Sequence, residues 1–317
     1  MTDEAAKDEL LALKKEVSKL RLEANLRKSL ATQLEKQKQV ADRAKAELEE
    51  KHKNLISSLN YASHIQKSIM PSAPVLDAVF PGAFIHWVPQ HIVGGDAYFM
   101  RRQPGDDGAD GATVFCVYDC TGHGVPGAFM TLLGERALDL GVTASGDVAS
   151  GRAGNILAFA DRFIRRQVNT SSGTESNDGM DCFVFDFDAG GLSHYASANF
   201  TVFGQTGDGF VELDADPDSV GYRLDAGDSA PSFTTHALDH SAYTALVIIS
   251  DGFLDQKGGP KGLSLGRRRF ASMLESVTAN HGWDKPVDGA AVVAAVTDYQ
   301  GENEQRDDMT LVVIPLA

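Results

Sequence analysis

The first 70 residues contain neither glycine nor proline, so a continuous helix is the structure that they favour. From Leu10 to Leu59, leucine, alanine and valine recur at alternating intervals of three and four residues, while Lys, Glu, Gln and Arg fill most other positions. This pattern is typical of a helix that pairs as a coiled coil. Lys38, Lys45 and His52 occupy seam positions, where polar residues weaken the pairing and fix its register. We therefore expect a homodimer of modest stability; a solvated helix packed on its own globular domain is the alternative.

The helix is predicted to continue past the coiled coil. Ala62, Ile65 and Ile69 keep an apolar face until Pro71 and Pro74 end it. The chain is then expected to have three parts: a coiled-coil dimerisation helix at 1–55, a connecting helix with its linker at 56–75, and a globular domain at 76–317.

The globular part alternates short apolar runs with helical patterns at irregular intervals. The apolar runs lie near 83–88, 113–118, 182–187 and 244–249, and the helical stretches lie near 125–140, 152–168 and 286–300. This order predicts a mixed α/β domain rather than a regular βαβ repeat. The Gly- and Asp-rich segments 103–111 and 170–179 are predicted to be surface loops.

The composition favours a folded protein of the cytoplasm. With 317 residues, 43% of them apolar, the chain is long enough to bury a sizeable core. No apolar run approaches the roughly 18 to 20 residues that cross a membrane, and the N-terminus lacks the apolar stretch of a signal peptide. Residues 1–56 carry a net charge of +2 and the remainder carries −17, which makes the globular part a poor partner for nucleic acid or anionic lipid. Cys116, Cys120 and Cys182 lack C-x-x-C spacing and are expected to be reduced thiols in strands.

The strongest indication of a catalytic site is a set of acidic turns at the ends of strand-like runs. They are Val93-Gly-Gly-Asp96, Val117-Tyr-Asp-Cys-Thr-Gly-His-Gly124, Ile248-Ile-Ser-Asp-Gly252 and Arg306-Asp-Asp-Met-Thr310. A single Asp-Gly turn is a common structural device, but several carboxylates buried together repel one another unless cations neutralise them. Mg²⁺ and Mn²⁺ prefer such oxygen ligands. The set therefore predicts a metal-dependent hydrolase, in which two cations roughly 3.5–4 Å apart activate a bridging water for a phosphoryl displacement.

With these acidic motifs the chain resembles a known family, the PPM (PP2C-like) serine/threonine phosphatases, in their bacterial SpoIIE/RsbU-type branch. The resemblance covers about residues 56–317. It rests on Asn60-Tyr-Ala-Ser-His-Ile-Gln66, Ile92-Val-Gly-Gly-Asp96, Asp119-Cys-Thr-Gly-His-Gly-Val-Pro-Gly-Ala-Phe-Met130, Asp178-Gly-Met-Asp181, Ser250-Asp-Gly-Phe-Leu-Asp-Gln256 and Arg306-Asp-Asp-Met-Thr310. It implies an α/β fold in which a PPM-type β-sandwich is flanked by helices, here preceded by the long N-terminal coiled-coil helix.

The resemblance also implies an activity and a metal site. The family hydrolyses phosphoserine and phosphothreonine with two Mn²⁺ or Mg²⁺ ions per site, through metal-bound water. Position by position, Asp119 corresponds to the carboxylate that bridges both metals, and Cys120 to the residue that contributes its backbone carbonyl. Asp251 and Asp307 correspond to ligands of the second metal, and Asp96 to a residue that supports the cluster directly or through water.

Three positions depart from the family pattern. Asp308 falls where many relatives carry Asn, so it is a further metal candidate that we expect to support the ligands rather than to bind first. Thr121 stands where eukaryotic-type relatives carry a His that is a proposed general acid, and His123 lies two residues further along, so the proton donor is left unassigned. Asn199 aligns with an Asp that binds a third metal in some relatives, which argues against a tightly held third ion.

The expected partners follow from the same resemblance. The substrate is expected to be a phosphorylated STAS-domain protein of the anti-anti-sigma type, and the 56–70 helix resembles a regulatory switch segment that answers to an upstream sensor protein. A catalytically silent phosphatase fold that serves as a dimeric binding or sensing module is the alternative function. Retention of Asp119, Asp251 and Asp307 favours the enzyme.

Overall fold

The computed structural model describes residues 3–103, 111–146, 151–168, 177–188, 192–222 and 229–316. The chain divides into two compact units, Met1–Ser58 and Leu59–Ala317. Most of both predicted surface loops, at 104–110 and 170–176, lies outside the described residues.

Helix α1 runs without interruption from Asp3 to Ile69, which confirms the prediction of one long helix that ends before Pro71. Its leucines are exposed along the first unit; Leu20, Leu34 and Leu48 have 59%, 68% and 68% of their surface accessible. Exposed ion pairs between successive turns, such as Glu23 with Arg27 at 2.8 Å, each stabilise a helix by only a few tenths of a kcal/mol. Pairing through the seam stays a prediction.

The second unit is built on two sheets. Its strands are β1 (Phe84–Val88), β2 (Asp96–Arg102), β3 (Thr113–Cys120), β4 (Met180–Phe187), β5 (Ser193–Ala198), β6 (Thr201–Gln205), β7 (Phe210–Glu212), β8 (His236–Ala237), β9 (Ala245–Ile249), β10 (Lys257–Gly258), β11 (Leu263–Ser264) and β12 (Met309–Pro315). Within the described residues, the strands form one antiparallel sheet in the order β1-β12-β9-β6-β7, a second in the order β2-β3-β4-β5-β8, and a small β10-β11 hairpin. The four predicted apolar runs fall on β1, β3, β4 and β9.

Helices follow several of the strands. After α1 they are α2 (Ala73–Asp77), α3 (Gly124–Ala144), α4 (Ala153–Val168), α5 (Asp251–Asp255), α6 (Gly266–His281) and α7 (Gly289–Gln300), with a short 3-10 turn at His240–Ala242. The three helical stretches predicted from periodicity are confirmed as α3, α4 and α7.

The core lies in three apolar layers. Phe115 and Val117 of β3 point into the space between the two sheets, where they join Ile248 of β9. Val114 and Tyr118 of β3 point the other way, onto α3 and α4; α6 and α7 cover the outer face of the other sheet in the same manner. Side chains that alternate across a strand explain why β3 is apolar on both faces. The predicted fold class, two facing sheets between helices, is confirmed.

A buried ion pair joins the start of α4 to β4. The Arg152 guanidinium donates to both carboxylate oxygens of Asp186, at 2.9 and 3.0 Å, and neither side chain is accessible to solvent. Arg152 also donates to the Gln103 side chain at 2.6 Å. Such a pair is expensive to break, because the remaining charge stays buried.

Two smaller expectations concern the thiols and the membrane. The three cysteines are buried, lie in β3 and β4, and are free, as predicted. Within the part of the chain that the structure describes, no helix is both long enough and apolar enough to cross a membrane.

Candidate metal centre

Three aspartates stand side by side across three neighbouring strands. Asp96 of β2 pairs with Asp119 of β3, and Asp119 pairs with Asp181 of β4. Directly opposed residues in antiparallel strands have their Cβ atoms about 4.5–5.5 Å apart on one face of the sheet. Like charges at that spacing repel one another, so the sequence folds into an arrangement that is unfavourable without a compensating cation or proton.

Asp251 and Asp307 come from the other sheet. Asp251 begins α5 directly after β9, and Asp307 lies just before β12, the strand that pairs with β9. The two segments approach closely: a Cβ on Gly252 would lie 1.9 Å from the Asp308 carbonyl oxygen, so only glycine fits there. The ends of both sheets therefore deliver carboxylates to one place.

A pocket of about 320 Å³ lies between these ends. Its lining residues are Asp119, Cys120, Thr121, Gly122, His123, Asp181, Tyr222, Asp251 and Asp307. Four of the six predicted metal-site residues, Asp119, Cys120, Asp251 and Asp307, are thus brought together. Asp96 and Asp308 do not line the pocket.

Asp96 lies behind the pocket wall and is almost fully buried. Its Oδ2 accepts a hydrogen bond of 2.6 Å from the Thr310 hydroxyl. Its Oδ1 has no hydrogen-bond partner among the described residues, although its side chain lies within hydrogen-bonding reach of Asp119. An orphaned buried carboxylate oxygen is costly unless a cation, water or proton satisfies it.

Asp308 holds the backbone around Asp96 instead of facing the pocket. Its Oδ1 accepts from the backbone N–H of Gln90 at 2.6 Å, and its Oδ2 accepts from the N–H of Gly95. Its supporting role at the metal stays a prediction.

The glycine turn before Asp96 brings carbonyl oxygens together. A Cβ on Gly95 would lie 2.7 Å from the Cys120 carbonyl oxygen and 2.5 Å from that of Gly122. The Cys120 N–H donates to the Gly95 carbonyl at 3.0 Å. Any larger side chain at Gly95 would displace the carbonyl that the resemblance assigns to a metal.

Burial raises the pKa of every carboxyl group at the site for which a shift is resolved. Burial raises the pKa of Asp96 to about 7 and that of Asp181 to about 6. Burial also raises the pKa of Asp119 well above its usual range, and the charges of Asp96 and Asp251 add to the effect. For Asp251, burial and then the charge of Asp307 raise the pKa. Without a cation, the fold therefore favours protonated carboxyls here.

These residues fit a hard divalent cation by the chemistry of their donors. The pocket presents carboxylate and carbonyl oxygens, and the Asp119 side chain is within hydrogen-bonding reach of both Asp96 and Asp251. Oxygen ligands of this kind suit Mg²⁺ and Mn²⁺. Among the described residues, no three His, Cys, Asp or Glu side chains already form a closed binding shell. The carboxylates share a pocket and have to draw together to bind an ion.

Thr121 and His123 line this pocket, and Asn199 contacts it through Asp181. The Thr121 hydroxyl contacts the Tyr222 hydroxyl at 2.7 Å. The His123 ring is exposed and stacks on the ring of His91, with centroids 5.0 Å apart. Asn199, in the left-handed region at φ 53°, donates to Asp181 at 2.8 Å.

Asp181 and Tyr222 are lining residues to which the sequence reasoning gave no role. Asp181 had a signal, because it closes the motif Asp178-Gly-Met-Asp181 and stands at one end of an apolar run. Tyr222 had none, since it follows no recognisable strand; an isolated bridge between Met180 and Val220 brings it to the pocket.

Gln66 connects the end of α1 to the same site. Its side-chain amide donates to the Gly94 carbonyl at 2.7 Å and to the Thr131 hydroxyl at 3.1 Å, and its oxygen accepts from the Gly94 N–H at 3.3 Å. The side chain is 2% exposed. Within the second unit, the last turns of α1 are thereby tied to the turn that carries Asp96.

Comparison with known proteins identifies the family. The model of the Stage II sporulation protein E (SpoIIE) family matches residues 109–316. No curated protein sequence gives a significant match. Among solved structures, the SiaA-PP2C domain of Pseudomonas aeruginosa is 32% identical with a TM-score of 0.67, and the match covers 83% of this chain and 97% of that domain.

Two more distant structures share the fold. The RsbU and RsbW domains of Rv1364c from Mycobacterium tuberculosis are 21% identical (TM-score 0.52, covering 74% of this chain and 60% of that one). The PP2C phosphatase domain of SpoIIE from Bacillus subtilis, with a fragment of its regulatory domain, is 16% identical (TM-score 0.53, covering 74% and 62%). The resemblance inferred from the motifs is confirmed: the chain belongs to the SpoIIE family of PP2C-like phosphatases and is a metal-dependent protein serine/threonine phosphatase.

Proposed function

We propose that the enzyme hydrolyses phosphoserine or phosphothreonine on a phosphorylated STAS-domain regulatory protein, with two Mn²⁺ or Mg²⁺ ions held in the pocket between the two sheets. The observation that carries the proposal is the convergence of Asp119, Asp251 and Asp307 from strand ends of both sheets on one pocket. The STAS-domain substrate rests on the family resemblance.

The residues divide into those that would hold the ions and those that would hold the ligands in place. Asp119, Asp251, Asp307 and the Cys120 carbonyl would bind the ions directly, and Asp96 would support them. When bound, the ions supply charge neutralisation, water activation and a clamp on the transferring phosphoryl group.

The ligand-holding groups of this chain are already in place. Thr310 orients the Asp96 carboxylate, and its N–H in turn donates to the Ser250 hydroxyl at 2.9 Å. Asp308 fixes the Gly95 N–H. Supporting contacts of this kind set the orientation of ligands and tune their affinity.

We expect the ions to supply the positive charge that binds the phosphate. Of the residues that the structure describes along the pocket wall, none is Lys or Arg. In the metal-free protein a phosphomonoester dianion would meet acidic side chains and no positive charge from these lining residues, so metal binding is expected to precede substrate binding.

The experiment is metal-dependent turnover of a small aryl phosphate and of a phosphorylated STAS-domain protein. Activity is measured with Mn²⁺, with Mg²⁺ and with chelator, for the intact chain, for Asp251→Ala, and for Asp298→Ala, an exposed carboxylate on α7. The expected result is turnover that requires metal, is lost in Asp251→Ala and is retained in Asp298→Ala. Turnover of aryl phosphate with no release from any phosphorylated STAS protein would refute the substrate. If the intact chain turned over neither substrate with any of the metals, the silent binding module would be favoured.

We also propose that the Met1–Ser58 unit dimerises the chain and that residues 56–70 act as a switch segment under an upstream sensor protein. The exposed leucines of the seam support dimerisation. Light scattering should give a dimer for the intact chain and a monomer for Leu20→Glu/Leu34→Glu. The matched control is Leu22→Glu/Leu30→Glu, which changes two equally exposed leucines outside the seam. A monomer in the control and a dimer in the seam variant would place the contact on the other face.

The switch role rests on the contacts of Gln66 with Gly94 and Thr131. A chain that begins near Ser57 tests it, because this version keeps the contacts and loses the coiled coil. An unchanged rate together with unchanged dimerisation would exclude the role.

A further inference from the structure

Tyr222 occupies a fixed position at the mouth of the metal pocket. Hydrogen bonds of 2.8 Å in both directions between Met180 and Val220 attach its segment to the start of β4. Gly221 adopts φ +91° and its N–H donates to the Asp161 carboxylate at 2.9 Å. The chain therefore turns in the left-handed region that glycine tolerates and directs Tyr222 towards the pocket.

The Tyr222 ring lies directly on Gly179. A Cβ at Gly179 would lie 2.4 Å from Cδ2 and 2.5 Å from Cε2 of the ring. The Cδ2–Cε2 edge of the ring is therefore packed against the Gly179 backbone, where no side chain larger than hydrogen fits. The Tyr222 hydroxyl is thereby set against the Thr121 hydroxyl at 2.7 Å.

The Thr121 hydroxyl has a single proton and three neighbours. It accepts from the Gly179 N–H at 3.0 Å, it contacts the Gly179 carbonyl at 3.1 Å, and it contacts Tyr222. If its proton goes to the Gly179 carbonyl, Tyr222 has to donate to Thr121. If Thr121 turns to donate to Tyr222, the phenol proton is released towards the pocket.

This rotation of the Thr121 hydroxyl leaves no buried group without a hydrogen-bond partner. The Gly179 carbonyl also accepts from the Thr121 backbone N–H at 2.9 Å, so it keeps a donor when the hydroxyl rotates away. The Thr121–Tyr222 pair can therefore exchange between two fully bonded states, one of which offers a proton to a bound ligand.

Other groups in the pocket are less suited to donate. Asp181 is engaged as an acceptor, by Ser219 at one oxygen and by Asn199 at the other. His123 is exposed and its position rests on stacking against His91. Asp119, Asp251 and Asp307 are assigned to the ions.

We propose that Tyr222 is the catalytic residue that protonates the leaving serine or threonine oxygen, and that Thr121 positions its hydroxyl for that transfer. This inference rests on the proposed phosphatase function. As water adds to phosphorus, the bond from phosphorus to the side-chain oxygen breaks and its electron pair stays on that oxygen. The phenol proton moves to the oxygen, and the proton lost by the attacking water returns to the phenolate through solvent, so that the products are the free hydroxyl and inorganic phosphate.

The test compares two substrates that differ in their need for a proton. The leaving group of p-nitrophenyl phosphate is a stable anion at neutral pH, whereas the alkoxide that leaves a phosphoserine peptide is not. Tyr222→Phe keeps the ring on Gly179 and removes only the hydroxyl. With Mn²⁺ present, we expect it to lower kcat for the phosphoserine peptide on the order of 100-fold and to change kcat for p-nitrophenyl phosphate less than about threefold.

Two further variants examine the role of Thr121. Thr121→Val should reproduce the substrate-selective loss, and Thr121→Ser should restore most of the peptide activity. Tyr299→Phe is the matched control, since it removes a phenol that donates to Leu263 at 2.8 Å away from the pocket. It should leave both substrates unaffected.

Each outcome has one meaning. An equal loss on both substrates in Tyr222→Phe would assign a structural role and overturn the inference. No loss on the peptide would also overturn it, and a peptide-selective loss in His123→Gln instead would transfer the role to His123. A wild-type chain without metal-dependent turnover of either substrate would refute the proposed function itself, and the inference with it.

Discussion

Replacement of Asp96 by Asn should make the metal-free enzyme more stable, and increasingly so as the pH rises. Burial raises the pKa of Asp96 to about 7, about three units above its usual value of 3.8. Below pH 4 the carboxyl is protonated in both the folded and the unfolded chain. Between pH 4 and pH 7 only the folded chain keeps the proton, so the stability that protonation provides is progressively lost as the pH rises. At about 1.4 kcal/mol per unit, the total loss is about 4 kcal/mol.

The side chain of Asn reproduces the neutral form of the carboxyl. It can still accept from Thr310 and can donate towards Asp119, whereas it does not titrate. The free energy of unfolding of Asp96→Asn should therefore rise relative to that of wild type by about 2 kcal/mol between pH 5 and pH 7. The effect of other groups cancels in this difference wherever the variant leaves them unchanged.

Urea denaturation in chelator at a series of pH values measures the effect. Asp298→Asn, on an exposed face of α7, is the control and should follow wild type at every pH. With saturating Mn²⁺ the wild type should become more stable than Asp96→Asn, because the metal stabilises the site with the carboxylate more than the site with the amide. Parallel pH curves for Asp96→Asn and wild type in chelator would refute the burial argument.

Four further predictions concern the site, its support and the core. Asp119→Asn should abolish turnover and remove most of the Mn²⁺-induced increase in Tm while the chain stays folded, as circular dichroism and thermal unfolding would show; normal activity would exclude its role as a shared ligand. Gln66→Leu should raise the Mn²⁺ concentration needed for half-maximal activity, because it removes the hydrogen bonds that hold Gly94, whereas Lys67→Leu at the exposed next position should not; an equal effect of both would point to a general change in the helix. Arg152→Met should lower the free energy of unfolding by about 3–5 kcal/mol in urea, and Arg152→Met/Asp186→Leu should recover much of it; a larger loss in the double variant would show that the pair is not the cause. Chelation should lower Tm more at pH 8 than at pH 6, because burial keeps Asp96 and Asp181 partly protonated at the lower pH; the reverse order would contradict the pKa shifts.

More of the fold than of the detailed site geometry could be predicted from the sequence. The absence of glycine and proline from the first 70 residues predicted α1. The apolar runs predicted the central strands, and the helical periodicity predicted the main helices. Periodicity cannot give the register between strands that lie far apart in the chain, so nothing local indicated that Asp181 would pair with Asp119. The consecutive residues Asp307 and Asp308 make the same point. Because successive side chains diverge, one lines the pocket and the other holds Gly95; the family resemblance assigned the two roles, whereas the local sequence alone does not distinguish them.

The register of the second sheet bears on how such enzymes can change over evolution. Asp96, Asp119 and Asp181 face one another only while β2, β3 and β4 keep their present pairing. One residue inserted between Thr113 and Asp119 would turn the Asp119 side chain to the opposite face or force a bulge beside it. Insertions and deletions are therefore tolerated only where they leave these two strand pairings unchanged. The register of the three strands is as necessary for catalysis as the aspartates themselves, and it has to be kept as the sequence evolves.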